Sequence, residues 1–242
     1  MNIAIDIGNT RVKSAVFEGD KLVKLYVFDK KNIIKEIKEI LEKNIISNGI
    51  ISNVASVSDK MMEELKSIVN LQVVSASSKV PFINLYKTPT TLGVDRIALV
   101  VGAVNQFPNK NTLIIDAGSC ITFDFVNSKS EYLGGAISPG IKMRFESLHQ
   151  FTANLPLLHK EEVNSFIGRD TKESMNSGVI NGVIQEIEGV INQYQKKYMD
   201  LTVVLTGGDT NFLSKQLKSS IFANQNFLLQ GLNRILIFNI DK

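Results

Sequence analysis

The sequence predicts an α/β protein of two similar domains, each a mixed sheet flanked by helices. Three observations predict it. Short apolar runs alternate with amphipathic stretches along all 242 residues, the pattern of strands covered by helices. The order three strands, helix, strand, helix, strand, helix occurs twice. An acidic-glycine turn opens each copy: Ile3-Ala4-Ile5-Asp6-Ile7-Gly8-Asn9-Thr10 in the first and Leu113-Ile114-Ile115-Asp116-Ala117-Gly118-Ser119 in the second. Internal duplication is the simplest account. Asn105 to Asn111, with Pro108, is the natural boundary, so the domains are expected at residues 1–107 and 108–242.

In the first copy, residues 2–7, 12–18 and 21–28 read as strands, and Glu18-Gly19-Asp20 supplies the turn between the second and third. Asn32 to Lys43 reads as a helix because Ile33, Ile34, Ile37, Ile40 and Leu41 recur at helical spacing. Gly49 to Val54 is a strand. Ser58-Asp59 caps a short helix to about Val69. Leu71 to Val74 is a strand, residues 79–92 form an irregular excursion with Pro81 and Pro89, and Val94 to Val104 is a buried helix.

The second copy repeats three strands at 112–117, 120–126 and 131–137, then a helix from Ile141 to His149. Residues 152–170 read as loop. Thr171 to Lys197 is the longest helix, with one broad apolar face. A strand from Thr202 to Leu205, a helix to about Lys218, a strand at Phe227 to Leu229 and a helix from Leu232 to Ile240 complete the chain.

Composition narrows the function. With 44% hydrophobic residues the chain can bury a large core. The net charge of +3 is spread out, which disfavours a nucleic-acid partner. A single cysteine excludes an internal disulfide and fits a reducing compartment. The chain enters a strand at once, without a basic or long apolar leader, and its longest apolar run, Ile97 to Val104, is too short to span a bilayer. A cytoplasmic protein with no membrane partner is expected.

The two turns carry the chemistry. Gly8 permits close backbone approach, and the N–H groups around Asn9 and Thr10 suit phosphate oxygens. Asp6 suits Mg2+, held through water, and Lys13 would neutralise phosphate charge. One such turn alone is better read as an ordinary hairpin in which Asp caps backbone amides. Two copies reverse that judgement and suggest a triphosphate gripped from both sides, in a cleft between the domains. Asp95, in Gly93-Val94-Asp95-Arg96, favours a helix N-terminus on dipole grounds alone. Its functional reading is a proton acceptor for a substrate hydroxyl. Gly134-Gly135 to Gly140 and Thr206-Gly207-Gly208-Asp209 are small-residue turns that could admit phosphate or adenosine, or answer only to geometry. His149, His159 and Cys120 form no metal or nucleophile pattern. No P-loop and no Rossmann glycine signature is present.

Together, Asp6-Ile7-Gly8-Asn9-Thr10, Gly93-Val94-Asp95-Arg96, Asp116-Ala117-Gly118-Ser119 and Gly134-Gly135 to Gly140 resemble type III pantothenate kinase, essentially over the whole chain. The resemblance implies two ribonuclease H-like, actin-like domains around an interdomain nucleotide cleft. It implies ATP-dependent phosphorylation of pantothenate on the way to coenzyme A, with Mg2+ and a monovalent cation, K+ or NH4+. By position, Asp6, Ile7, Gly8, Asn9, Thr10, Arg11, Val12 and Lys13 would bind ATP phosphates and Mg2+. Ser119 would contact ATP, and Asp116 would bind the monovalent cation. Tyr86, Gly93, Val94, Asp95, Arg96 and Thr171 would meet pantothenate, Asp95 as proton acceptor, with Thr171 in a pocket built at a homodimer interface. Ser119 stands where the family usually has Thr, and Cys120 where a small Ala is common. Two other readings stand beside this one: another small-molecule kinase of the superfamily, and a non-catalytic regulatory protein on the same fold.

Overall fold

Alternating apolar residues dictate the first strands, and the computed structural model, which describes residues 1–8, 11–53 and 57–240, forms them where the pattern places them. In chain order the elements are β1 (Asn2–Ile7), β2 (Val12–Glu18), β3 (Lys21–Phe28), α1 (Ile33–Lys43), β4 (Asn48–Asn53), α2 (Asp59–Ile68), β5 (Leu71–Val73), β6 (Ile83–Asn84) and α3 (Val94–Gln106). Then come β7 (Thr112–Ala117), β8 (Cys120–Val126), β9 (Glu131–Pro139), α4 (Ile141–Gln150), α5 (Thr171–Lys197), β10 (Thr202–Thr206), α6 (Thr210–Leu213), β11 (Phe222–Ala223) and α7 (Phe227–Ile240). They group into two compact units. The first holds Met1–Asn109, Val126–Gly134 and Asn226–Lys242; the second holds Lys110–Phe125 and Gly135–Gln225.

The first unit has a sheet in the order β3-β2-β1-β4-β5. β1 to β3 are antiparallel, and β4 and β5 run parallel to β1. One face buries Ile3, Ile5, Ile7, Val12 and Val16 beneath Ile33, Ile37 and Ile40 of α1 and Leu65 of α2. Ser58 caps α2 as expected, its hydroxyl accepting from the Met61 N–H at 3.3 Å. β1, β2 and β4 also contact α7, which packs along α3. Gly231 makes that packing possible: a Cβ there would lie 1.9 Å from the Ala98 carbonyl oxygen. The short β6, inside the irregular excursion, pairs parallel with β9 through Ile83↔Glu131 and Asn84↔Tyr132.

In the second unit the strands run β11-β10-β7-β8-β9. Leu113, Ile115, Ala117, Ile121 and Phe123 form the sheet side of its core, against Val179, Ile180, Val183, Ile187 and Ile191 of α5 and Phe145 of α4. α5 starts sharply because Asp170 accepts from the Glu173 N–H at 2.8 Å while the Glu173 carboxylate accepts from the Arg169 N–H at 2.8 Å. Residues 152–170 carry neither helix nor strand.

Two expectations at the C-terminal end are corrected. The helix expected to reach Lys218 stops at Leu213. The expected strand at Phe227 to Leu229 is the first turn of α7, which buries Phe227, Leu229, Leu232, Ile235 and Leu236. A short apolar run does not distinguish a strand from a buried helical turn, and Gly231 reads as a break in sequence although it is a contact point in space. Among the described residues no helix is long and apolar enough to cross a membrane.

Candidate active site

In the first unit, β1 delivers Asp6 to the end of the sheet. Pairing sets it opposite Lys13 of β2 on one side and Ser52 of β4 on the other. Burial pushes its carboxyl up to about 6; Lys13 opposes that rise, the charge of Asp95 adds to it, and the Ser52 hydroxyl pulls down. Asp6, Lys13 and Asp95 therefore share one electrostatic neighbourhood, although 82 and more residues separate Asp95 from the other two in the chain.

Asp95 stands in the first turn of α3, where its Oδ1 accepts from the Arg96 N–H at 2.8 Å. Gly93 caps that helix, and a Cβ there would fall 2.4 Å from Asp95 Oδ1, so a side chain at Gly93 would displace the carboxylate. Arg96 is 5% exposed. Its guanidinium lies over the Tyr86 ring at 5.6 Å, and Tyr86 in turn stacks on Tyr132, with centroids 6.1 Å apart. Tyr86, Gly93, Val94, Asp95 and Arg96 thus lie on two linked segments of one unit.

Of the remaining residues expected at the phosphate turn, Gly8 donates its N–H to the Arg11 carbonyl at 3.2 Å, and Arg11 is exposed. Ile7 and Val12 are buried in the core beneath α1, which leaves only their backbone for a ligand. Asn9 and Thr10 lie outside the described residues.

In the second unit, Asp116 is the fifth residue of β7 and pairs with Thr206 of β10. The turn after β10 folds over it. Gly207 has a φ of +97°, and a Cβ there would lie 2.3 Å from the Ala117 carbonyl and 2.4 Å from Asp116 Oδ1. The Asp209 N–H donates to the Ala117 carbonyl at 2.9 Å. Ser119 is exposed, and its carbonyl accepts from the Gly140 N–H at 3.1 Å. Thr171, exposed at the start of α5, lines a cavity of about 810 Å³ with Arg144, Leu155, Arg169, Ser174 and Met175.

Three neighbours escaped the sequence reading. Ser52 carries no motif, and only the parallel pairing of β4 sets it beside Asp6. Tyr132 reads as one more strand residue until β6 pairs with β9 and brings Tyr86 onto its ring. Lys160 sits in a segment without periodicity, yet its ammonium pairs with the Asp209 carboxylate.

A family model described as type III pantothenate kinase matches residues 2–193. The chain belongs to the type III pantothenate kinase family. It is 50% identical over 240 residues to the type III pantothenate kinase of Christiangramia forsetii, covering 99% of each chain. With that of Flavobacterium johnsoniae it is 44% identical over 242 residues, covering 100% of this chain and 99% of the relative. Among solved structures, a ROK family glucokinase from Streptomyces griseus superposes with a TM-score of 0.52 at 12% identity, covering 98% of each chain. A Campylobacter jejuni protein described as a "conserved putative Baf family transcriptional activator" gives 0.63 at 21% identity, covering 99% of this chain and 100% of the other. These structural likenesses bear on the fold alone, which the chain shares with that glucokinase.

Among the described residues, no three His, Cys, Asp or Glu side chains gather as a metal-ligand set. Mg2+ in phosphoryl transfer needs no such set, since it takes one or two carboxylates and completes its shell with water and phosphate. Asp6 fits that role: a partly buried carboxylate that feels the charge of a second one gains most from a nearby cation.

Proposed function

We propose that this chain transfers the terminal phosphoryl group of ATP to a hydroxyl of pantothenate, giving 4'-phosphopantothenate, the first step towards coenzyme A. Family membership supports the acceptor. The observation that carries the chemistry is that the charges of Lys13 and Asp95 both act on the Asp6 carboxyl. A kinase acting on an alcohol needs a carboxylate to orient the hydroxyl and take its proton, close to the groups that hold the phosphates. Asp95 takes the proton. Lys13 and the backbone of the Asp6 to Lys13 turn hold phosphate oxygens. Tyr86 and Arg96 orient pantothenate, the guanidinium being suited to its carboxylate.

Asp6 would hold Mg2+, which when bound neutralises charge on the phosphates. Asp116 would hold K+ or NH4+, beside the Gly207 turn that lies against its Oδ1. Ser119 contacts ATP. Thr171 contacts the acceptor in the cavity at the start of α5. The working form is a cytoplasmic homodimer. Gly178 and Gly182 of α5 have open space beside them within the chain, and Phe151, Phe166 and Ile167 are at least 76% exposed, as a surface that meets a second copy would be.

The test is phosphoryl transfer from ATP to pantothenate, measured with and without K+ and against a panel of sugar acceptors. Product that requires pantothenate and rises with K+ supports the proposal. No product, or equal transfer to a sugar, ends it.

A further inference from the structure

Residues 152–170 have no regular structure, yet the segment is firmly tethered at both ends. Leu155, Leu158 and Val163 pack on the core of the second unit. The His149 ring bonds the Leu155 carbonyl at 2.8 Å, and the Ser177 hydroxyl donates to the Phe166 carbonyl at 2.7 Å. Between these anchors two adjacent side chains reach to different places. Glu161 pairs with Lys172 at 2.9 Å, next to Thr171 at the start of α5. Lys160 pairs with the Asp209 carboxylate, in the turn that carries Gly207, and its ammonium lies 5.4 Å from the Phe212 ring.

Asp209 is thereby held twice. Its N–H is bound to the Ala117 carbonyl, and its side chain is bound to Lys160. Its own carbonyl accepts from the Phe212 and Leu213 N–H groups at 3.1 and 2.9 Å, which starts α6. Since Gly207 sits against Asp116 Oδ1 and Ala117 O with no room for a Cβ, a shift of Asp209 is a shift of the backbone lying over Asp116. The Asp209 carboxylate is largely covered, so losing its cation would leave a poorly solvated charge beside that turn.

We infer that Lys160 is a positioning residue for the nucleotide-side half of the site: through Asp209 it holds the Thr206 to Asp209 turn in register over the Asp116 strand end. The inference rests on the kinase reading given above. It separates two neighbouring contacts by function. Lys160 serves the nucleotide, whereas the Glu161–Lys172 pair, next to Thr171, serves the acceptor side.

The test is calorimetric titration of ATP into the wild type and into Lys160→Met, Lys160→Arg, Asp209→Asn and the Lys160→Met/Asp209→Asn double variant, with steady-state kinetics alongside. A partly covered ion pair sets the expected loss of ATP affinity at roughly three- to tenfold in Lys160→Met and in Asp209→Asn. The double variant should lose little more than either single one, Lys160→Arg should recover most of the affinity, and KM for pantothenate should stay within about twofold. Wild-type ATP affinity in Lys160→Met overturns the inference. So does a parallel rise of both KM values with a matching fall in melting temperature, which would mark a purely structural pair. A wild-type protein that binds no ATP overturns the kinase reading itself, and is distinguishable because it appears before any variant is compared.

Discussion

The two acidic-glycine turns look alike in sequence and are built differently. Asp6 is surrounded by side chains: Lys13 and Ser52 flank it across the sheet, and Asp95 adds a second negative charge. Asp116 is enclosed by backbone: the Gly207 turn lies on its carboxylate, and Asp209 is bound to the neighbouring Ala117 carbonyl. Side-chain charge marks the surroundings of the first carboxylate, and backbone packing those of the second. The same Asp-x-Gly spacing thus stands in two different surroundings, and substitutions should fail in different ways at the two places.

The largest expected effect is on the charged side. Asp95→Asn should leave folding and ATP binding in place and lower kcat by roughly 10²–10⁴-fold, the usual scale for a general base. Near-normal turnover in that variant would remove Asp95 from the chemistry and weaken the contrast.

Next comes the shape-governed side. Gly207→Ala forces a residue with a Cβ into a left-handed backbone conformation and against two oxygens. It should destabilise the protein by about 3 kcal/mol, read by urea unfolding.

A pH series sharpens the contrast further. The Asp6 carboxyl is raised from 3.8 to about 6 in the folded protein. Between those values the folded state binds more protons than the unfolded chain, so stability is full at low pH and falls as pH rises through about 6. The contribution lost is on the order of 2–3 kcal/mol. Unfolding free energies from pH 4 to 7, measured without nucleotide or Mg2+, should therefore decline in the wild type relative to Asp6→Asn. Parallel profiles would show that Asp6 is not held in an adverse site.

The smallest effect is expected at the counterpart glycine. Among the described residues, a Cβ on Gly8 would meet only the Arg11 carbonyl, at 3.3 Å, so Gly8→Ala should cost less than about 1 kcal/mol. A loss as large as that of Gly207→Ala would mean that both turns are governed by backbone shape.

Local pattern was enough to read most of the elements. β1, β2, β3, β7, β8 and α5 begin and end where alternation, turn residues and the Asp170 cap place them. Those signals act within a few residues, so the sequence carries them directly. The pairing of the turn motifs with Gly93-Val94-Asp95-Arg96 was equally legible and led to the family. What stayed hidden depends on residues far apart in the chain. A single apolar run cannot say whether Phe227 to Leu229 is strand or helix; packing on α3 decides, where α7 sets Gly231 against the Ala98 carbonyl.

The sequence by itself therefore determined the strand and helix periods, the α/β class and the set of carboxylates. Tertiary structure alone decided which of them act together. Sheet register put Ser52 and Lys13 on either side of Asp6, the β6–β9 pairing stacked Tyr86 on Tyr132, and the packed segment before α5 brought Lys160 to Asp209. The physical reason is range: backbone preference extends over a turn or two, whereas desolvation and charge act between whatever side chains the completed fold makes neighbours.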